Sequence, residues 1–187
     1  TGSVPAIHGI AGNDFEKDGK PIYCTEDTSV ATVGAPNGKS GQMSPRNLLT
    51  TTIADELRIA TNFRSRTIGV AIKDRASILP AGHTTNGAYW LDDKTGNFIT
   101  STYYRSELPD WVKRFNARGR VAELLMQGWA PLYPLSTYKE STADDVRYEQ
   151  PWGKNGEHPA TLPLNTAELM KEQGLGVIRT TPMGATL

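Results

Sequence analysis

Cysteine is almost absent: Cys24 is the only one among 187 residues. A lone thiol closes no internal disulfide, so cysteine usage leaves the redox compartment open. With no His or Asp directly beside it, Cys24 reads as a small structural residue in a loop rather than an activated nucleophile. An excess of charge of one sign is also missing, with 20 Lys and Arg against 20 Asp and Glu. That balance lacks the basic surplus of a nucleic-acid binder. No apolar run approaches the roughly 18–20 residues that span a bilayer, and Thr1 does not open a signal peptide. Histidine is sparse. His8, His83 and His158 are scattered in turn-like contexts and form no H-x-x-x-H or similar ligand spacing. No nucleophile elbow, Walker loop or dinucleotide-binding glycine fingerprint occurs.

What is present is a globular composition, 37% apolar and 21% charged, with Trp, Tyr, Ile and Leu spread along the chain. That is enough for one domain with a real core. Residues 1–14 form a Gly-rich turn anchored by Ile7, Ile10 and Phe15. Residues 16–43 read as a hairpin or irregular loop, with Asp18-Gly19 and Asn37-Gly38 as turn signals. A helix is expected next, N-capped by Ser44 with Pro45 at its first position. Its apolar face would be Leu49, Ile53, Leu57 and Ala60, and Asn62 or Phe63 would end it. The run Thr67-Ile68-Gly69-Val70-Ala71-Ile72 is continuous, apolar and β-branched, as expected of a strand buried on both faces. A helix followed by a buried strand points to an α/β sheet.

Residues 74–80 are expected to form a short helix or turn. Gly87–Leu91 and Asn97–Ser101 are strand candidates, joined as a hairpin through Gly96. Further helices are expected from Pro109 through Phe115, over 121–126, and over 166–173 with Asn165 or Thr166 as cap. Val177-Ile178 would begin another strand. Between them, 129–164 carries five prolines and several anchoring aromatics, the character of a lid or binding loop. The organisation expected is therefore a core over 1–128, a lid-like insertion over 129–165 and a return to the core over 166–187.

Lys73 and Arg75 are the strongest chemical signal. They sit two apart just after the apolar strand, and ligands of open α/β sheets bind at strand ends. In an extended segment that spacing puts both on one side. Two converging cations repel unless an anion lies between them. An Arg fork with a Lys point charge suits a phosphate or phosphoryl transition state. The alternative is a solvated turn in which Asp74 is the local partner. Asn13, in Gly9-Ile10-Ala11-Gly12-Asn13-Asp14, could donate an amide N–H to an anion or simply turn the chain. The acidic pairs Asp92-Asp93 and Asp144-Asp145 read as solvated loop charge.

The segment Thr1-Gly2-Ser3-Val4-Pro5-Ala6-Ile7-His8-Gly9-Ile10-Ala11-Gly12-Asn13-Asp14-Phe15 resembles the stretch that follows the nucleophile in the alkaline phosphatase superfamily. Met43-Ser44-Pro45-Arg46-Asn47-Leu48, Ile72-Lys73-Asp74-Arg75 and Ile78-Leu79-Pro80-Ala81-Gly82-His83 are similar to the secreted Bacteroidetes and sphingomonad branch. So are Ala88-Tyr89-Trp90 and Gly96 through Tyr104, and the likeness returns near Thr180-Thr181-Pro182. The resemblance implies part of an alkaline-phosphatase-like sandwich, a mixed sheet with flanking helices, plus the irregular lid-like segment.

It also implies a periplasmic or secreted two-zinc phosphoric monoester hydrolase. In that enzyme a Thr nucleophile forms a phospho-enzyme that water hydrolyses. The phosphoryl oxygens of its phosphate-ester substrate would be held by residues that map onto Asn13, Lys73 and Arg75. The nucleophile and the zinc ligands should lie outside this chain, Thr1 being no nucleophile, and no residue here is assigned to metal. Thr1–Pro5 reads as the end of an earlier helix and Gly184–Leu187 is equally abrupt. Both ends are thus expected to be cut from something longer. Two other functions stay open: a nucleotide pyrophosphatase or phosphodiesterase of the same superfamily, and a non-catalytic lid or anion-binding module.

Overall fold

The computed structural model describes residues 1–187 except 37, 154, 182, 183, 185 and 186. The turn expected at Asn37-Gly38 and the likeness at Pro182 therefore fall partly outside the described residues. The chain divides into two compact units. One comprises residues 1–92 with 97–114, and the other comprises 93–96 with 115–187.

The first unit opens with a one-turn helix, α1 (Pro5–His8), with Pro5 in the first turn. Thr1–Val4 is not helical and leads into this helix. Proline fits there because its missing N–H would be unpaired anyway. Strands β1 (Asp14–Lys17) and β2 (Lys20–Tyr23) form an antiparallel ribbon around Asp18-Gly19, with Asp14 opposite Tyr23. Both turn residues have positive φ, 52° and 73°, the backbone form that a tight two-residue hairpin demands.

A four-stranded mixed sheet carries the core. Its order is β3 (Thr32–Val33), β6 (Phe98–Ser101), β5 (Ala88–Leu91), β4 (Gly69–Ala71). β4 and β5 run parallel, while β5–β6 and β6–β3 are antiparallel. The hairpin expected over 87–101 is present, with Trp90 opposite Ile99 and Leu91 opposite Phe98. Every residue of β5 and β6 is buried. Ile78, Ala88, Trp90 and Ile99 form the centre of the core, with Met43 and Tyr104 packed against it. The Trp90 indole N–H donates to the Ser40 carbonyl at 2.9 Å, so the largest core side chain carries no unpaired polar atom.

Helix α3 (Asp74–Ala81) follows β4 directly and packs against β4 and β5. Gly69 makes this possible: a Cβ there would strike the Ser77 carbonyl oxygen and sit 2.9 Å from Ala81 Cβ. β4 is the edge of the sheet, and Ile68 and Val70 are 53% and 54% exposed. The expectation of a strand buried on both faces fails here, because α3 covers only one of them.

The helix expected from Ser44 does not start there. Helix α2 spans Ile53–Ala60, capped by Thr52. Thr52 and Asp55 form a reciprocal capping box, which satisfies two of the unpaired first-turn donors and wins over the Ser-Pro signal eight residues earlier. Ser44 instead donates to Asp27 Oδ2 at 2.6 Å and accepts from the Arg46 amide. The apolar stripe is not buried either: Leu49 and Ile53 are 67% and 83% exposed, while the buried helix residue is Asp55.

Helix α4 (Asp110–Asn116) lies where the Pro109 signal puts it. The second unit contains α5 (Arg120–Met126) and α6 (Thr166–Gln173). The Asn165 side chain caps α6 by accepting from the Glu168 amide at 3.2 Å. Val177 and Ile178 are buried, but in a 3-10 segment, Leu175–Thr180, rather than a strand. Gly174 ends α6 at φ 81°, and the chain turns tightly back onto α5 and α6 instead of extending. From 129 to 164 the chain is irregular. Trp129 and Leu164 pin its two ends by reciprocal backbone bonds of 2.9 and 2.7 Å.

Candidate functional site: a cationic strand end

Lys73 leaves β4 with extended backbone, φ −101° and ψ 139°, and stands immediately before α3. Arg75 therefore lies in the first helical turn. The same-side alternation expected of an extended segment does not apply, because the chain turns helical at Asp74. What aims Arg75 is a tertiary contact: its Nη1 donates to the Tyr23 hydroxyl at 3.0 Å.

Asp74, the residue between the two cations, pairs with neither. Thr25 Oγ1 donates to its Oδ2 at 2.5 Å and Tyr23 Oη donates to its Oδ1 at 3.1 Å. The carboxylate is thus drawn towards the end of β2. Among the described residues, Lys73 and Arg75 form no ion pair with a carboxylate within 4.0 Å. The solvated turn with Asp74 as local partner is not what forms. Lys73 is exposed and Arg75 half-buried, so the cationic charge faces outward without a protein counter-ion in contact. The amino end of α3 adds its partial positive charge beside them.

Asn13 immediately precedes β1. Its carbonyl accepts from the Cys24 amide at 2.8 Å, and its neighbour Asp14 lies opposite Tyr23. Asn13 is therefore tied to the same short segment, 23–25, that engages Arg75 and Asp74. Its side chain is exposed. Asn47 donates through Nδ2 to the Cys24 carbonyl at 3.4 Å and the Glu26 carbonyl at 3.2 Å, fastening the segment from the other side.

The electrostatics follow from these contacts. Burial pushes the Tyr23 phenol up, outweighing the Arg75 hydrogen bond that draws it down. It therefore stays protonated and able to donate. The Tyr23 hydroxyl holds Arg75 above its ordinary value, so its charge is permanent. Burial, and then the Asp74 charge, push the Cys24 thiol up. A buried free thiol in this state is the structural residue its sequence context suggests.

The histidines serve local structure. His8 Nδ1 accepts from the Ile10 amide at 3.2 Å, His83 Nε2 lies 3.3 Å from the Thr50 carbonyl, and His158 meets Glu172 at 3.0 Å. Among the described residues no group of three or more His, Cys, Asp or Glu side chains is placed to hold an ion.

Tyr23 and Thr25 escaped the sequence reading. Their signal is slight: two polar side chains at and just beyond the end of β2, separated from their partners by about fifty residues.

A family model for type I phosphodiesterases and nucleotide pyrophosphatases matches residues 1–172. This chain belongs to that family. Among curated members similar to it, alkaline phosphatase PafA of Elizabethkingia meningoseptica is 52% identical over the whole chain, which covers 34% of that protein. A Myroides odoratus protein named as a calcium-transporting ATPase is 56% identical with the same coverage. The crystal structure of wild-type PafA superimposes with a TM-score of 0.92 at 51% identity, over 100% of this chain and 36% of that one. A variant of PafA matches with the same TM-score at 49% identity, again over 100% of this chain and 36% of that one. It carries Ser for a Thr, and Ala for an Asn and for a Lys and an Arg two positions apart. The chain thus spans about a third of the length of these family members. Its mixed sheet and flanking helices are those of the PafA fold.

Proposed function

We propose that this chain supplies the phosphoryl-oxygen grip of a zinc-dependent alkaline phosphatase that hydrolyses phosphate monoesters through a Thr phospho-enzyme. The observation that carries this reading is the diversion of Asp74 by Thr25 and Tyr23, which leaves Lys73 and Arg75 without a carboxylate in contact at the end of β4. The Lys ammonium acts as a point charge on one phosphoryl oxygen, and the Arg fork spans two. The Asn13 amide donates a neutral hydrogen bond. The Asn, Lys and Arg replaced together in the PafA variant have the order of Asn13, Lys73 and Arg75, and the same two-residue step from Lys to Arg. The nucleophile, the two zinc ions and their ligands are assigned to parts of the enzyme outside these 187 residues, and the enzyme to the periplasm or the cell exterior. The segment 129–165 is read as a lid-like insertion between the core stretches 1–128 and 166–187, on the strength of its irregular path and pinned ends.

A monoester carries more negative charge than a diester, so two cations discriminate in its favour. In the full-length enzyme, Lys73→Ala and Arg75→Ala are each expected to lower kcat/KM for p-nitrophenyl phosphate by about 10²-fold or more. Bis-p-nitrophenyl phosphate should suffer markedly less. Equal losses on both substrates would remove the monoester assignment and favour the diesterase activity that the family's description names.

A further inference from the structure

We propose that Tyr23 is a positioning residue for the phosphoryl grip, a hydroxyl spacer that aims Arg75 while keeping Asp74 from neutralising it. The inference rests on the phosphatase reading of Lys73 and Arg75. Where a carboxylate meets a guanidinium directly, the charge-assisted contact runs about 2.7–2.9 Å. Here the contact is replaced by a relay. The guanidinium donates to the phenol at 3.0 Å, the phenol donates to Asp74 Oδ1 at 3.1 Å, and Thr25 donates to the other carboxylate oxygen at 2.5 Å. Each group is used in the sense its chemistry permits, since a protonated phenol can accept from one partner and donate to the other.

The relay is built on firm ground. Thr25 is fully buried, and Tyr23 closes a ribbon whose register places it opposite Asp14. Between them, the Cys24 amide holds the Asn13 carbonyl. Three consecutive residues thus fix Arg75, the Asn13 backbone and the acid that separates Lys73 from Arg75. Immobilising a long, rotamer-rich Arg beforehand lowers the ordering cost that substrate binding would otherwise meet. Holding the carboxylate one hydroxyl away leaves the guanidinium's remaining donors for an anion.

The test is a double-mutant cycle in the full-length enzyme, using Tyr23→Phe, Arg75→Ala and the pair. Tyr23→Phe removes one oxygen and keeps the ring packing. It is expected to lower kcat/KM for p-nitrophenyl phosphate roughly 10-fold, weaken competitive inhibition by inorganic phosphate in proportion, and spare the diester. In the Arg75→Ala background the same change should have almost no further effect. Thr25→Val, which releases Asp74 from the far side, should move the monoester-to-diester ratio in the same direction. That measurement decides the matter should Tyr23→Phe fold poorly. If Arg75→Ala damages monoester hydrolysis but Tyr23→Phe is harmless, or its effect simply multiplies with that of Arg75→Ala, the positioning role is overturned and the phosphatase reading stands. If Arg75→Ala itself leaves monoester hydrolysis intact, the phosphatase reading fails, independently of Tyr23.

Discussion

Asp55 shows how much one side chain can organise at the residue scale. It is fully buried, yet its two oxygens accept from the Thr84 amide and hydroxyl at 2.8 Å each, the Thr52 amide at 3.0 Å and the His83 amide at 3.2 Å. Burial alone would push this carboxyl up; the bonds from Thr84, Thr52 and His83 outweigh it and hold it below its ordinary value. A group depressed in the folded state stabilises above its unfolded pKa of about 3.9 and loses that contribution as pH falls through the folded value. Asp55→Asn keeps the shape but turns an NH₂ towards donors. It should cost about 2–4 kcal/mol in urea unfolding at neutral pH and flatten the loss of stability below about pH 4. An unchanged midpoint would show that these bonds carry little. The same residue exposes a limit of pattern reading. The apolar spacing of Leu49, Ile53 and Leu57 reads as a buried stripe, whereas the buried position is an acid whose partners lie about thirty residues away. The position of Lys73 and Arg75 was legible because they adjoin a recognisable strand; Tyr23 was not, since nothing local announces a partner 52 residues on.

Among elements, the hairpin of β5 and β6 was readable because both of its determinants are local: two short runs rich in aromatic, aliphatic and β-branched residues and a Gly-containing turn between them. Helices α4 and α6 were readable for the same reason, through Pro109 and Asn165. The segment at 175–180 was not, since two adjacent aliphatics state that they are buried but not in which conformation. The junction of β4 and α3 invites a direct test. Gly69→Ala would place a methyl against the Ser77 carbonyl, and overpacking of this kind costs about 1–3 kcal/mol. Because α3 carries Arg75 and follows Lys73, the variant should also lose monoester activity beyond its loss of stability. That is checked by comparing kcat/KM well below the melting temperature. Retained activity would mean that α3 can move without disturbing the cations.

On the scale of the whole molecule, the two units differ in kind. The first concentrates its buried aromatics and aliphatics on one mixed sheet. The second places two helices and a 3-10 segment beside a long irregular excursion. β4, with only three residues and aliphatics at 68 and 70 more than half exposed, is the least protected part of the sheet. Its outer amides and carbonyls are free to adopt a ladder partner, and the neighbouring bare side chains would reward one that arrived. These 187 residues prepared by themselves should accordingly self-associate as concentration rises, with scattering mass above the 20.4 kDa of one chain. Replacing Val70 by Lys should suppress the effect, and a monodisperse monomer at high concentration would argue against it. The seam that lends the cations their strand end is thus also the place where this polypeptide is most open to company.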